Sequence, residues 1–175
     1  MATPATRRIE QDSLPQPTLY LAFELGKNTW KLGFTVGMAQ QPRERTIPAG
    51  ALETLQQEIA RAKQRSGLPE NSRVVSCYEA GRDGFWLHRA LVTQGSTNHV
   101  IDSASIEVNR RRRRAKTDRL DVRKLLTMLL RHTGGEKKVW SVVRVPSVEE
   151  EDGYPLKAGH CYTTMVSGLQ SRGRQ

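Results

Sequence analysis

The spacing of apolar residues along this chain changes period in a set order, and that order limits what the chain can fold into. Strict alternation argues for a strand, and recurrence every three to four residues argues for a helix. Leu19–Leu25 and Trp30–Val36 read as strands, with Gly26-Lys27-Asn28 as the turn between them. Arg43–Ile47 reads as a third, weaker strand. Leu52–Lys63 carries Leu52, Leu55 and Ile59 at helical spacing, and Gly67 ends it. Val74–Glu79 is apolar enough for a central strand. Asp83 is placed to cap a helix running to about Gln94, whose Phe85, Trp86, Leu87, Ala90 and Leu91 supply core contacts. His99–Asp102 reads as a short fifth strand. A basic stretch, Val108–Lys116, precedes a last helix from Asp118 to about Arg131, which Gly134-Gly135 stops.

Two hairpins followed by alternating helix and strand define an α/β fold class. The order is that of a ribonuclease-H-like (RuvC-like) mixed sheet with flanking helices. In such a sheet the first strand is central and the fourth lies beside it. This is an analogy of folds and assigns no activity by itself. The domain is expected over residues 18–145. Residues 1–17 are polar and proline-containing, lack the apolar stretch of a secretory signal, and read as a disordered arm. Residues 146–175 read as an irregular tail, since Asp152–Gln175 shows neither period. No apolar run approaches the roughly 20 residues that span a bilayer. The expectation is therefore a cytoplasmic protein without a membrane partner. Cys77 and Cys161 fit no disulfide framework, and Cys77 reads as a small buried residue. Trp30, Trp86 and Trp140 read as packing residues.

The chain carries a formal charge of +10. Such an excess favours a polyanion partner, nucleic acid first. Arg110, Arg111, Arg112, Arg113 and Arg114 form an unbroken run, followed by Lys116. A charge run is commonly a solvated face, but here it follows the charge of the whole chain. Arginine gives bidentate phosphate contacts that position a backbone without reading sequence.

Asp118 and Asp121 stand directly after that run. At about 100° per residue they point within about 60° of each other, in the sector of Val122, Leu125 and Leu129. Two carboxylates are thus expected on the inward face of the helix, where charge is costly unless it is paired or binds metal. Glu24 lies near the end of the first strand and Glu79 near the end of the fourth. If those strands are neighbours, four carboxylates meet, and they stay ionised together only with cations present. Mg²⁺ suits hard oxygen ligands. Two such ions about 3.5–4 Å apart serve phosphodiester chemistry. Simpler roles compete. Asp118 and Asp121 fit a helix cap with its reinforcing acid, or Thr117 is the cap. Glu24 fits an ordinary strand residue and Glu79 a turn residue before Gly81.

Tyr78-Glu79-Ala80-Gly81-Arg82-Asp83-Gly84-Phe85-Trp86-Leu87 and Ala115-Lys116-Thr117-Asp118-Arg119-Leu120-Asp121 closely resemble motifs of the DEDD transposases of the IS one-ten insertion-sequence family. Leu21-Ala22-Phe23-Glu24-Leu25 falls where that family places its first acid. The resemblance covers roughly Leu19–Glu151 and implies the N-terminal RuvC-like domain. It further implies Mg²⁺ held by a catalytic tetrad, matched here by Glu24, Glu79, Asp118 and Asp121. Glu24 stands where the family usually has Asp. DNA is the implied substrate and a structured guide RNA an implied partner, with the arginine run able to contact either; a homo-oligomer is left open. Family members continue into a helical region and a second domain with a serine nucleophile. Asp152–Gln175 resembles neither, so the expectation is truncation or a frame shift near Glu151 and transposition lost in the chain alone. A stand-alone RuvC-type nuclease and a non-catalytic nucleic-acid-binding module are the alternatives.

Overall fold

Residues 16–81, 85–105, 121–147 and 150 are described in this computed structural model. Asp83, Arg110–Arg114, Lys116, Thr117, Asp118 and Cys161 lie outside the described residues, so the expectations placed on them are not addressed by the fold. Elements follow the expected order: β1 (Thr18–Leu25), β2 (Thr29–Thr35), β3 (Arg43–Pro48), α1 (Leu52–Arg65), β4 (Arg73–Glu79), α2 (Trp86–Thr93), β5 (Thr97–Ile101) and α3 (Val122–Thr133). The strands make one mixed sheet in the order β3-β2-β1-β4-β5. β1 is central, antiparallel to β2 and parallel to β4. β2 pairs antiparallel with β3, and β4 pairs parallel with β5.

Alternation in β1 decides which residues face which helix layer. Leu21, Phe23 and Leu25 of β1 stand opposite Phe34, Leu32 and Trp30 of β2. Phe23 packs edge-to-face on Trp30 and Tyr78, with ring centroids 6.3 and 6.4 Å apart. Trp30 in turn meets Trp86, the first residue of α2, at 5.7 Å. The tryptophans are packing residues as expected: Trp30 and Trp140 are buried and Trp86 is half-buried. The opposite face carries Ala22, Val75 and Cys77, which form a core with Val122, Leu125, Leu126, Met128 and Leu129 of α3. Cys77 is fully buried there. A helix of 12 residues is marginal by itself. Burying five apolar side chains, at about 1.5–3 kcal/mol each, holds α3 on the sheet.

Gly33 fixes how closely α3 lies to β2. A Cβ there would come within 2.8 Å of Leu126 Cδ1 and 2.9 Å of Val122 Cγ2. Only a residue without a side chain lets the first turn of α3 seat at this depth. Overpacking of this kind costs about 1–3 kcal/mol.

Several boundaries differ from expectation. α1 runs on to Arg65 and ends in a Schellman arrangement. There Leu68 N donates to Lys63 O at 2.9 Å and Gly67, at φ +66, donates to Gln64 O at 3.2 Å. β5 begins at Thr97, because the parallel ladder with β4 starts from Val75↔Thr97. α2 starts at Trp86 after Phe85, with no side-chain cap bond. α3 starts at Val122, later than its apolar sector suggests. After α3 the chain returns to the β5 edge, where Ile101 bridges Val142 and Val143 N donates to Val100 O at 2.8 Å.

A division into compact units falls between Val143 and Arg144. In the second unit Ser147 and Glu150 bond each other's backbone N–H, at 2.9 and 3.2 Å, in the reciprocal pattern of a helix capping box. Among the described residues no helix is long and apolar enough to cross a membrane.

Candidate acidic site at the strand ends

Glu24 and Glu79 reach the same place because β1 and β4 are parallel neighbours. The last register pair of that ladder is Phe23↔Tyr78. The next residues, Glu24 and Glu79, therefore stand side by side at the carboxyl ends of two strands about 4.8 Å apart. Two residues earlier, Ala22 and Cys77 belong to the core under α3. By the strand period, both glutamates take that same face. Burial pushes the Cys77 thiol pKa far up, and the charge of Glu79 adds to the rise. That coupling fits a Glu79 carboxylate on the α3 side. Both glutamates are half-buried.

Asp121 approaches from α3, in a different role from the one its angular position suggests. It was expected inside the helix on the packing face. It sits instead at the N-cap, exposed, with extended backbone at φ −56 and ψ 140. Its side chain accepts from Arg123 N at 3.3 Å. An aspartate before an apolar helix can satisfy a free N–H of the first turn, and that local bond ends the helix here. Asp118, the other member of the pair, lies outside the described residues.

Lys31 joins these groups. It is the cross-strand partner of Glu24 in the β1–β2 hairpin. Its ammonium pairs with Glu44 of β3 at 2.8 Å. Arg123, two residues into α3 from Asp121, bonds the same Glu44 carboxylate. The Lys31 pKa is raised, first by the hydrogen bond to Glu44 and against burial, with Glu44, Asp121 and Glu24 adding attraction. Two of the expected acids, on separate elements, thus act on one ammonium group. The Glu44 carboxyl is held below the usual carboxylate range by its bonds from Lys31 and then Arg123. Sequence reasoning missed Lys31, Glu44 and Arg123. The signal was available for Lys31: the short turn at Gly26-Lys27-Asn28 sets the hairpin register, and that register puts Lys31 opposite Glu24.

Among the described residues, no three carboxylate, histidine or cysteine side chains form a group that could hold a metal ion. What the described site does contain is two strand-end glutamates on one face, a capping aspartate nearby, and a lysine between them in charge. Their oxygens are hard donors of the kind Mg²⁺ takes.

The fold and this site define a mixed α/β protein with acidic residues at the ends of its central parallel strands. Over 139 residues, 77% of its length, the chain is 36% identical to a protein of Sinorhizobium fredii named "Putative transposase y4rJ". That likeness supports a transposase. The matched stretch is 35% of the Sinorhizobium protein, so the chain spans about a third of the curated relative it matches. No family model matches the chain, and no solved structure matches it.

Proposed function

We propose that this chain carries the acidic, ribonuclease-H-like domain of a DNA transposase of the DEDD type. The observation that carries the reading is the adjacency of Glu24 and Glu79 on the central strands, on the face where α3 brings Asp121. The sheet order β3-β2-β1-β4-β5, antiparallel through β1, β2 and β3 and parallel through β1, β4 and β5, supports the ribonuclease-H-like part. Likeness to a protein named as a transposase supports the substrate class.

In this reading Glu24, Glu79, Asp118 and Asp121 would hold Mg²⁺. Bound cations of this kind lower the pKa of an attacking water or hydroxyl and stabilise the leaving oxygen at phosphorus. Glu24 and Glu79 are held at adjacent strand ends by the β1–β4 ladder. The Asp121 carboxylate is tied to the start of α3, and Gly33 sets the depth at which that start sits on β2. Lys31 supplies a standing positive charge that limits repulsion among the carboxylates. Arg110–Arg114 and Lys116 would position the nucleic-acid backbone, DNA or a guide RNA. Because the chain spans a third of its relative, the reading concerns this acidic domain and not the whole transposition reaction.

Binding of Mn²⁺ and Mg²⁺ measured by calorimetry tests the reading. The wild-type chain is expected to take up the cation, and Glu79→Gln and Asp118→Asn are expected to weaken it about tenfold or more. A wild-type chain that takes up neither ion, or variants that bind as well as it does, would remove the metal site.

A further inference from the structure

A second basic surface lies on the other side of the sheet from the acidic site, and it is built from β3 and α1. Arg43 and Arg45 are two residues apart on β3, so they share a face with the buried Ile47. Glu58, Arg61 and Arg65 recur at helical spacing on α1. Glu58 fastens the two elements: Arg45 Nε lies 3.4 Å and Arg61 Nη1 2.6 Å from its carboxylate. The Arg45 contact joins β3 to the middle of α1, and the Arg61 contact lies within the helix. Arg43 then falls one strand repeat beyond Arg45, and Arg65 one helical turn beyond Arg61. Arg43 feels the charges of both Arg45 and Arg65.

The balance of charge on this surface is uneven. The Glu58 carboxylate pairs with Arg45 and Arg61, and among the described residues Arg43 and Arg65 have no ion-pair partner. Arg43, Arg61 and Arg65 are exposed. Glu44, the neighbouring acid of β3, turns to the opposite face and is engaged by Lys31 and Arg123. Like charges gathered this way are unfavourable until an anion lies across them. Neighbouring arginines are separated by about 6 Å along α1 and about 7 Å along β3. A phosphodiester backbone, with one charge per about 3.4 Å of axis on each strand, fits such a row. A lipid surface would need apolar anchors among the charges. Among the described residues, the exposed large hydrophobics Met38, Val92 and Val142 are in neither β3 nor α1.

We propose that Arg43, Arg45, Arg61 and Arg65 form a binding surface for the backbone of duplex DNA, separate from the arginine run at 110–114. The inference rests on the nucleic-acid partner of the proposed function and not on the metal site. Glu58 sets Arg45 and Arg61, while Arg43 and Arg65, one repeat further along the strand and the helix, reach the phosphates. The contacts are positioning contacts and carry no sequence preference.

Binding of the full chain to a random-sequence DNA duplex, followed by fluorescence anisotropy across a salt series, tests this. The double variant Arg43→Gln/Arg65→Gln is expected to bind about tenfold more weakly at low salt. Its slope of log K against log salt should fall by about 1.8, from two lost phosphate contacts. Its Tm without DNA should stay level or rise, since the two arginines repel their neighbours; a lower Tm would show a structural role and overturn the inference. Unchanged affinity and slope would overturn it as well. Losses confined to duplex RNA, or to phosphatidylserine vesicles, with DNA binding intact would do the same. A parallel variant with Arg110–Arg114 changed to Gln separates the two readings. If only that variant loses DNA, the β3–α1 surface is refuted and the arginine-run reading stands. If wild type binds no DNA at all, both fall together.

Discussion

Asp121 shows how one side chain can serve two demands. Its carboxylate caps α3 through Arg123 N, and it acts electrostatically on Lys31 beside Glu24. The two roles separate by substitution. Asp121→Asn keeps a capping oxygen and loses the charge, whereas Asp121→Ala loses both. Thermal unfolding should show Asn close to wild type and Ala destabilised by about 1 kcal/mol, the usual worth of such a cap. If calorimetry finds cation binding weakened equally in both, the charge is what the site uses. If Asn binds as wild type does, Asp121 is a cap and no ligand. Glu24 was legible from its place at the end of an apolar strand. The cap was legible only as an alternative, and on the wrong aspartate. Helical periodicity registers which side chains share a sector, but not which residue begins the hydrogen-bond ladder.

At the scale of elements, the tie between β2, β3 and α3 runs through one carboxylate. Glu44 takes Lys31 from β2 and Arg123 from α3, so it braces the start of α3 over the hairpin. Glu44→Gln removes both ion pairs at once. These are partly exposed pairs, so a Tm loss of about 1–4 °C is expected, smaller at high salt. The sign with pH follows from the lowered Glu44 value. The stabilisation is complete above the unfolded carboxylate value and disappears as pH falls through the depressed folded one. Wild type and Glu44→Gln should therefore converge in Tm at low pH; a difference that persists there would assign the effect to packing. The strands and helices themselves were readable from period and punctuation, because each is a local pattern. The brace was not, since Lys31, Glu44 and Arg123 are spread over 93 positions of the chain.

Over the whole molecule, the two edges of the sheet differ in what they expose and what they cover. β3 presents arginines at one edge. At the other, β5 is covered by the returning segment around Val142, and imidazoles sit in the packing there. His99 and His132 have ring centroids 5.3 Å apart, and His132 lies 5.6 Å from Trp140. Burial lowers the His99 pKa, with His132, Arg73 and His88 adding to it, and burial also lowers that of His88. Folding therefore favours the neutral form of both. Their contribution is present above the unfolded histidine value, about 6.5, and is lost as pH falls toward the lower folded values. Tm should fall between pH 7 and pH 5, and His99→Gln should flatten that fall; an equal fall in the variant would exclude His99. The amino-acid sequence by itself determined the order of elements and the apolar faces, since these follow from spacing and residue type. Analogy of folds extended that order to β1 and β4 as neighbours with Glu24 and Glu79 at their ends, and the β1–β4 ladder has that pairing. Tertiary structure alone decided that Glu44 and Arg123 gather at Lys31 and that four arginines gather across β3 and α1. Each of these depends on pairing between distant segments, which no local period encodes.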